Sequence, residues 1–181
     1  EKQAMGAYSH AEGEFTFALG DSSHTEGYWT IAKGDSSHDE GDTSCALGDA
    51  SHAEGSYTVA YGTNAHREGE GDGSYVEISG PANSTTYTVQ TRYGTVIRPN
   101  CTIIKSNEYN CALITDWDPD TSTITVDKTL SKDKDVIEAY SRLYNSGVAF
   151  GLNSHVEGEN NITPGKNTHA EGFNPITTQS N

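Results

Sequence analysis

The stretch "SHAEGEFTFALGDSSHTEG", residues 9–27, contains one phrase twice, fourteen residues apart. Ser-His-x-Glu-Gly stands at Ser9-His10-Ala11-Glu12-Gly13, Ser23-His24-Thr25-Glu26-Gly27, Ser37-His38-Asp39-Glu40-Gly41 and Ser51-His52-Ala53-Glu54-Gly55, with Ala65-His66-Arg67-Glu68-Gly69 as a fifth copy at the same step. It resumes at Ser154-His155-Val156-Glu157-Gly158 and Thr168-His169-Ala170-Glu171-Gly172, and these copies use all 7 histidines of the chain. A repeat of this kind points to architecture before chemistry, because a catalytic histidine does not need copies.

Between the copies runs a second phrase: Thr16-Phe17-Ala18-Leu19-Gly20, Thr30-Ile31-Ala32-Lys33-Gly34, Ser44-Cys45-Ala46-Leu47-Gly48, Thr58-Val59-Ala60-Tyr61-Gly62 and Gly147-Val148-Ala149-Phe150-Gly151. Each unit reads as two five-residue strands joined by two-residue turns such as Asp21-Ser22 and Tyr28-Trp29, in which Gly, Asp, Ser and Asn supply tight geometry. Glycine recurring this often excludes a helix, at up to about 1 kcal/mol each against Ala. The pattern predicts an all-β, parallel β-solenoid of short strands. Strand alternation puts Thr16, Ala18, Gly20 and their counterparts inside a thin roll. Phe17, Leu19, Ile31, Leu47, Val59, Tyr61, Val148 and Phe150 then point out of their own coil, as a stripe expected to be exposed on a single chain and covered by self-association.

These two phrases resemble the YadA-like head of trimeric autotransporter adhesins over residues 4–71 and 147–174. The Ser-His-Ala-Glu-Gly variant is similar to the form in phage tail fibre and prophage-encoded surface proteins. The resemblance implies a left-handed parallel β-roll, homotrimeric about a three-fold axis, with Phe17, Leu19, Ile31, Leu47, Val59, Tyr61, Val148 and Phe150 in the trimer core. It also implies a rigid adhesive or spacer segment of an extracellular fibre. No heptad stalk or membrane anchor accompanies the roll here.

His and Glu, two apart, share one strand face, so stacked coils place an imidazole ladder beside a carboxylate ladder. The pairs are His10 and Glu12, His24 and Glu26, His38 and Glu40, His52 and Glu54, His66 and Glu68, His155 and Glu157, and His169 and Glu171. The leading reading is a hydrogen-bonded ladder or intersubunit seam. The alternative is a metal held by His10, His24, His38, His52, His66, His155 and His169, because imidazole with carboxylate suits zinc or nickel. A Ser-His-Glu catalytic set is excluded, because adjacent strand residues point to opposite faces. The third position of the phrase carries Asp39 and Arg67, so that face is expected to be wet.

Composition agrees with a narrow interior: only 33% of the 181 residues are hydrophobic, with 4 Phe, 1 Met and 19 Gly. A net charge of -15 argues against nucleic acid, whose phosphates would be repelled rather than neutralised. No apolar run is long enough for membrane insertion. A repeat unit is already under way at Ala4-Met5-Gly6, as expected of a piece of a longer chain. The sequons at Asn83, Asn100 and Asn161 carry little weight in so Asn-rich and Thr-rich a chain.

Ala65 and Ser154 occupy equivalent places yet lie 89 positions apart instead of 14, so an insert of 75 residues (89 − 14) interrupts the roll. The expected organisation is therefore roll over 1–71, insert over 72–146 and roll again over 147–181. Alternating, β-branched stretches at 85–97, 101–106, 111–117 and 121–130, and a final strand or short helix at 131–145, predict a small antiparallel β domain. Cys101 and Cys111 read as small buried residues, with a disulfide across adjacent strands as the alternative. Asp116, Asp118, Asp120 and Asp127 have calcium-loop spacing, but Thr121 replaces the required Gly, so a Pro-Asp turn is preferred. Trp117, Tyr109, Tyr140 and Tyr144 are candidates for a carbohydrate-stacking platform, or for the core of the domain.

The expected function is that of a nonenzymatic trimeric fibre segment without cofactor, on a virion tail or a bacterial surface. The insert would recognise a host-surface glycan or protein receptor. A pure spacer and a polysaccharide-cleaving or self-cleaving insert are the alternatives.

Overall fold

The computed structural model describes residues 2–90, 97, 102–105, 110–132, 136–144 and 147–173. The chain divides into two compact units, Glu1–Asp72 with Ser146–Asn181, and Gly73–Asn145. No helix occurs among the described residues.

The first unit is a parallel β-roll of two 7-stranded sheets. One sheet stacks Lys2–Ala4, Thr16–Ala18, Ile31–Ala32, Cys45–Ala46, Val59–Ala60, Val148–Ala149 and Ile162–Thr163. The other stacks His10–Ala11, His24–Tyr28, His38–Asp42, His52–Ser56, His66–Arg67, His155–Val156 and His169–Ala170. Register never slips: Val59 pairs with Val148 and His66 with His155, so the stack closes over the insertion as if the intervening residues were absent. Turn side chains repeat the same step. Asp21 Oδ1 accepts from Ala7 N at 2.8 Å and Asp35 Oδ1 from Asp21 N at 3.0 Å, and an amide ladder joins Asn64, Asn153 and Asn167.

Small residues set the coil-to-coil distance. A Cβ added at Gly34 would lie 2.0 Å from the carbonyl oxygen of Gly48, so the coils could not approach this closely with any other residue there. Inside, Ala46, Ala60 and Ala149 of one sheet pack on Ala53, Ala65 and Val156 of the other.

This interior corrects the expectation of a wet third position. Thr25, Asp39, Ala53, Arg67 and Val156 are all fully buried, because the face opposite His and Glu is the inside of the roll. The two charges are accommodated separately. One Asp39 carboxylate oxygen accepts from Ile31 N at 2.6 Å, and burial pushes this carboxyl well above the usual range. Arg67 donates to the carbonyls of Glu68, Val156, Glu70 and Gly158. It lies in the coil that the insertion interrupts: where other coils carry Thr16, Thr30 or Thr58 the resumed roll has Gly147, and a Cβ there would meet Gly71 Cα at 2.7 Å, Tyr57 O at 3.1 Å and an Arg67 guanidinium nitrogen at 3.2 Å. The missing side chain makes room for the guanidinium, whose bonds cap carbonyls from both sides of the splice.

The second unit is a closed antiparallel barrel of Gly73–Gly80, Thr86–Gln90, Thr123–Val126, Asn110–Asp118, Thr102–Lys105 and Val136–Tyr144, in that spatial order. Val76, Ile78, Tyr87, Val89, Ile114, Ile124 and Leu143 fill it. The region 131–145 supplies a strand, Val136–Tyr144. Gly73–Gly80 is a strand that the Gly-rich and Ser-rich texture of the sequence conceals. Tyr144 is fully buried, which removes it from an exposed sugar platform, while Trp117 packs on the core and stays partly exposed. Tyr109 and the side chain of Tyr140 lie outside the described residues, as does Cys101, while Cys111 pairs opposite Ile104. Asp118 accepts from Asp120 N at 2.9 Å and from Thr121 Oγ1 at 2.8 Å, closing a turn, and Asp127 accepts from Leu113 N.

Candidate functional site

The repeated phrase builds one continuous surface. Its first residue turns inward, where Ser23 Oγ donates to Gly20 O at 2.6 Å and Ser154 Oγ to Gly151 O at 2.8 Å, fastening the preceding turn. This serine is consumed by structure and faces away from histidine. The Gly that ends the phrase lets neighbouring coils touch: Gly27 has φ +108°, and a Cβ on it would lie 2.2 Å from Gly41 O.

On the outer face the imidazoles form an unbroken stack. Centroids of successive rings from His10 to His169 lie 4.7–5.1 Å apart, with interplanar angles of 3–18°. The spacing is that of hydrogen-bonded strands, so the backbone dictates it. Glutamates run alongside. His52 Nε2 is 3.7 Å from a Glu54 oxygen and 3.9 Å from one of Glu40, and the separations within the His10, His66, His155 and His169 pairs are 3.7–3.8 Å. An open groove of about 810 Å³ follows Glu12, Glu26, Glu40 and Glu54 and their glycines.

Stacking like groups at strand spacing is tolerated by suppressing charge. Burial, then neighbouring imidazoles, holds His38 and His52 below the usual histidine range, and His66 likewise. Burial and the carboxyls of Glu40 and Glu68 push Glu54 up to about 7, while hydrogen bonds from Glu26 and Glu54 hold Glu40 down. Within the central coils the carboxyls of Glu26 and Glu54 are thus pushed up while that of Glu40 between them is held down.

The stripe expected to face a partner divides in two. Phe17, Ile31, Val59 and Val148 are at most 3% exposed within the single chain, each in register with its counterparts in adjacent coils. Leu19, Leu47, Tyr61 and Phe150 remain half-buried. What remains accessible is the fourth position of the phrase, where Lys33 interrupts the apolar series of Leu19, Leu47, Tyr61 and Phe150. A further copy of this phrase, Asn161-Ile162-Thr163-Pro164-Gly165, escapes sequence reading because Asn and Pro disguise it; its fourteen-residue step from Gly147 was the available signal.

Residues 4–23 and 40–65 match the YadA head domain repeat, in two copies. Over these residues the roll resembles a YadA-like head. Domains of this type are structural adhesin folds, not known for catalysis, that form trimeric, surface-exposed extracellular fibres. No curated protein and no solved structure matches the chain significantly. Among the described residues no helix is long and apolar enough to cross a membrane.

Proposed function

We propose that this chain is a segment of a homotrimeric extracellular fibre, in a phage tail or on a bacterial surface, whose inserted barrel recognises a host-surface glycan or protein receptor. The YadA-head roll supplies length and self-association, with Leu19, Leu47, Tyr61 and Phe150 at the three-fold contact and Phe17, Ile31, Val59 and Val148 beneath them. The observation that carries the reading is the uninterrupted pairing of Val59 with Val148 and His66 with His155. A roll that stacks correctly across the splice has no structural use for a separate six-stranded barrel, so the barrel's role lies in what it presents. Three copies on one fibre would bind a multivalent surface more tightly than one, through effective concentration.

Deleting residues 73–145 and joining Asp72 to Ser146 tests this. The expected result is a folded roll of unchanged oligomeric state that no longer binds host cells or a glycan array. Retained binding would assign recognition to the roll. Failure of the intact chain to bind any cell or glycan would favour a pure spacer.

A further inference from the structure

The ladder leaves a chemical need unmet. Nε2 of His24, His38, His52, His66 and His155 is shielded from solvent and has no hydrogen-bond partner. Where carboxylate oxygens approach these atoms, they stop at 3.7–4.0 Å. That gap exceeds the span of an N–H···O bond, about 2.7–3.2 Å. It is shorter than the sum of one metal–nitrogen and one metal–oxygen bond, about 4.0–4.3 Å, and a few tenths of an ångström longer than the roughly 3.3–3.5 Å that a tetrahedral angle sets between two such ligands. An ion seated between the two atoms would reach both after small torsions of a glutamate, which is a flexible side chain at the rim of an open groove.

We propose that the outer ladder is a tandem site for divalent transition-metal ions, Zn²⁺ foremost, with imidazole Nε2 and glutamate oxygens from adjacent coils as ligands. Mixed nitrogen and oxygen donors select zinc, nickel or copper over calcium and magnesium, which take oxygen alone. Coordination takes the unprotonated imidazole and the carboxylate, so metal binding there releases protons and weakens as pH falls. Water from the groove completes the coordination shell.

The geometry also sets the stoichiometry. Five groups bring three ligand atoms within 4.8 Å of one another: Glu12 with His24 and Glu26, Glu26 with His38 and Glu40, His52 with Glu54 and His66, His66 with Glu68 and His155, and His155 with Glu157 and His169. The first two groups share Glu26, the third and fourth His66, and the fourth and fifth His155, so at most three groups with no ligand in common fit on one chain, which allows three ions. All ligands of each group come from one chain, so the site does not depend on the fibre reading or on a three-fold axis.

The test uses the intact 181-residue chain, purified without a polyhistidine tag and stripped with a chelator, then dialysed against micromolar Zn²⁺ and analysed for metal content. The expected result is close to three ions per chain, with a rise in Tm that Ca²⁺ and Mg²⁺ do not reproduce. In the double variant His52→Gln and His66→Gln, loading should fall to about two ions per chain, with the β circular dichroism unchanged. Should that variant not fold, His169→Gln, at the exposed terminal coil, should likewise cost one ion. Absence of Zn²⁺ loading in the wild type, or loading unchanged in a folded variant, overturns the proposal.

Discussion

Asp39 shows how far a single residue can depart from the logic of its repeat. Ala11, Ala53 and Ala170 hold the same place in other coils, and burial of a carboxyl there raises its pKa well above 3.8. The folded chain thus keeps a proton that the unfolded chain releases, so stability contributed at this residue declines as pH rises through the raised value. Asp39→Ala is therefore expected to raise Tm most at about pH 8, with the gap narrowing toward about pH 4. Thermal melts at both values check it; a lower Tm for the variant at both would mean that the bond from Ile31 N outweighs the buried charge. Thr43 is a second departure. It holds φ 59°, a left-handed conformation hard for a β-branched residue, where Asn160 stands in a later coil. Thr43→Asn should relieve about 1 kcal/mol and raise Tm by about 2–4 °C, and an unchanged or lowered Tm would show that the coil stack already absorbs the strain.

At the scale of the element, the roll depends on glycine more than on any apolar residue. Gly34→Ala drives a Cβ to 2.0 Å from the facing carbonyl and should abolish folding of the roll, whereas Gly172, with nothing within 4 Å, carries only the cost of φ +105°. Gly172→Ala is expected to remain folded, at a loss of about 1–2 kcal/mol; equal damage from both variants in denaturant melts would contradict this. The two strand phrases were legible because each recurs at one step, with Ala18 inside and His24 outside by simple alternation. The inside of the His strand was misread because Asp39 and Arg67 look like surface residues. Their burial depends on local compensation, a backbone N–H for one and four carbonyls beside a glycine for the other, which no periodicity encodes. In the insert, alternation exposed the strands with β-branched residues but concealed Gly73–Gly80, where Tyr75, Val76 and Ile78 stand among Gly, Ser and Glu77. The stacking of imidazoles followed from register alone, while the unmet hydrogen-bonding capacity of their Nε2 atoms needed side-chain positions.

The whole molecule joins two architectures: a stack that extends by repetition, and a closed barrel inserted in the chain at one of its turns. Self-association is where sequence and structure disagree most usefully. Phe17, Ile31, Val59 and Val148 are already buried in one chain, so the drive to trimerise rests on Leu19, Leu47, Tyr61 and Phe150 rather than on the full stripe. The measurement that bears most directly on the fibre reading is the solution mass of the purified chain by sedimentation equilibrium, across a range of concentrations. The account predicts a species of three times 19.4 kDa that persists on dilution. A stable monomer would mean that the remaining half-buried residues need no partner, and the trimeric fibre would be contradicted.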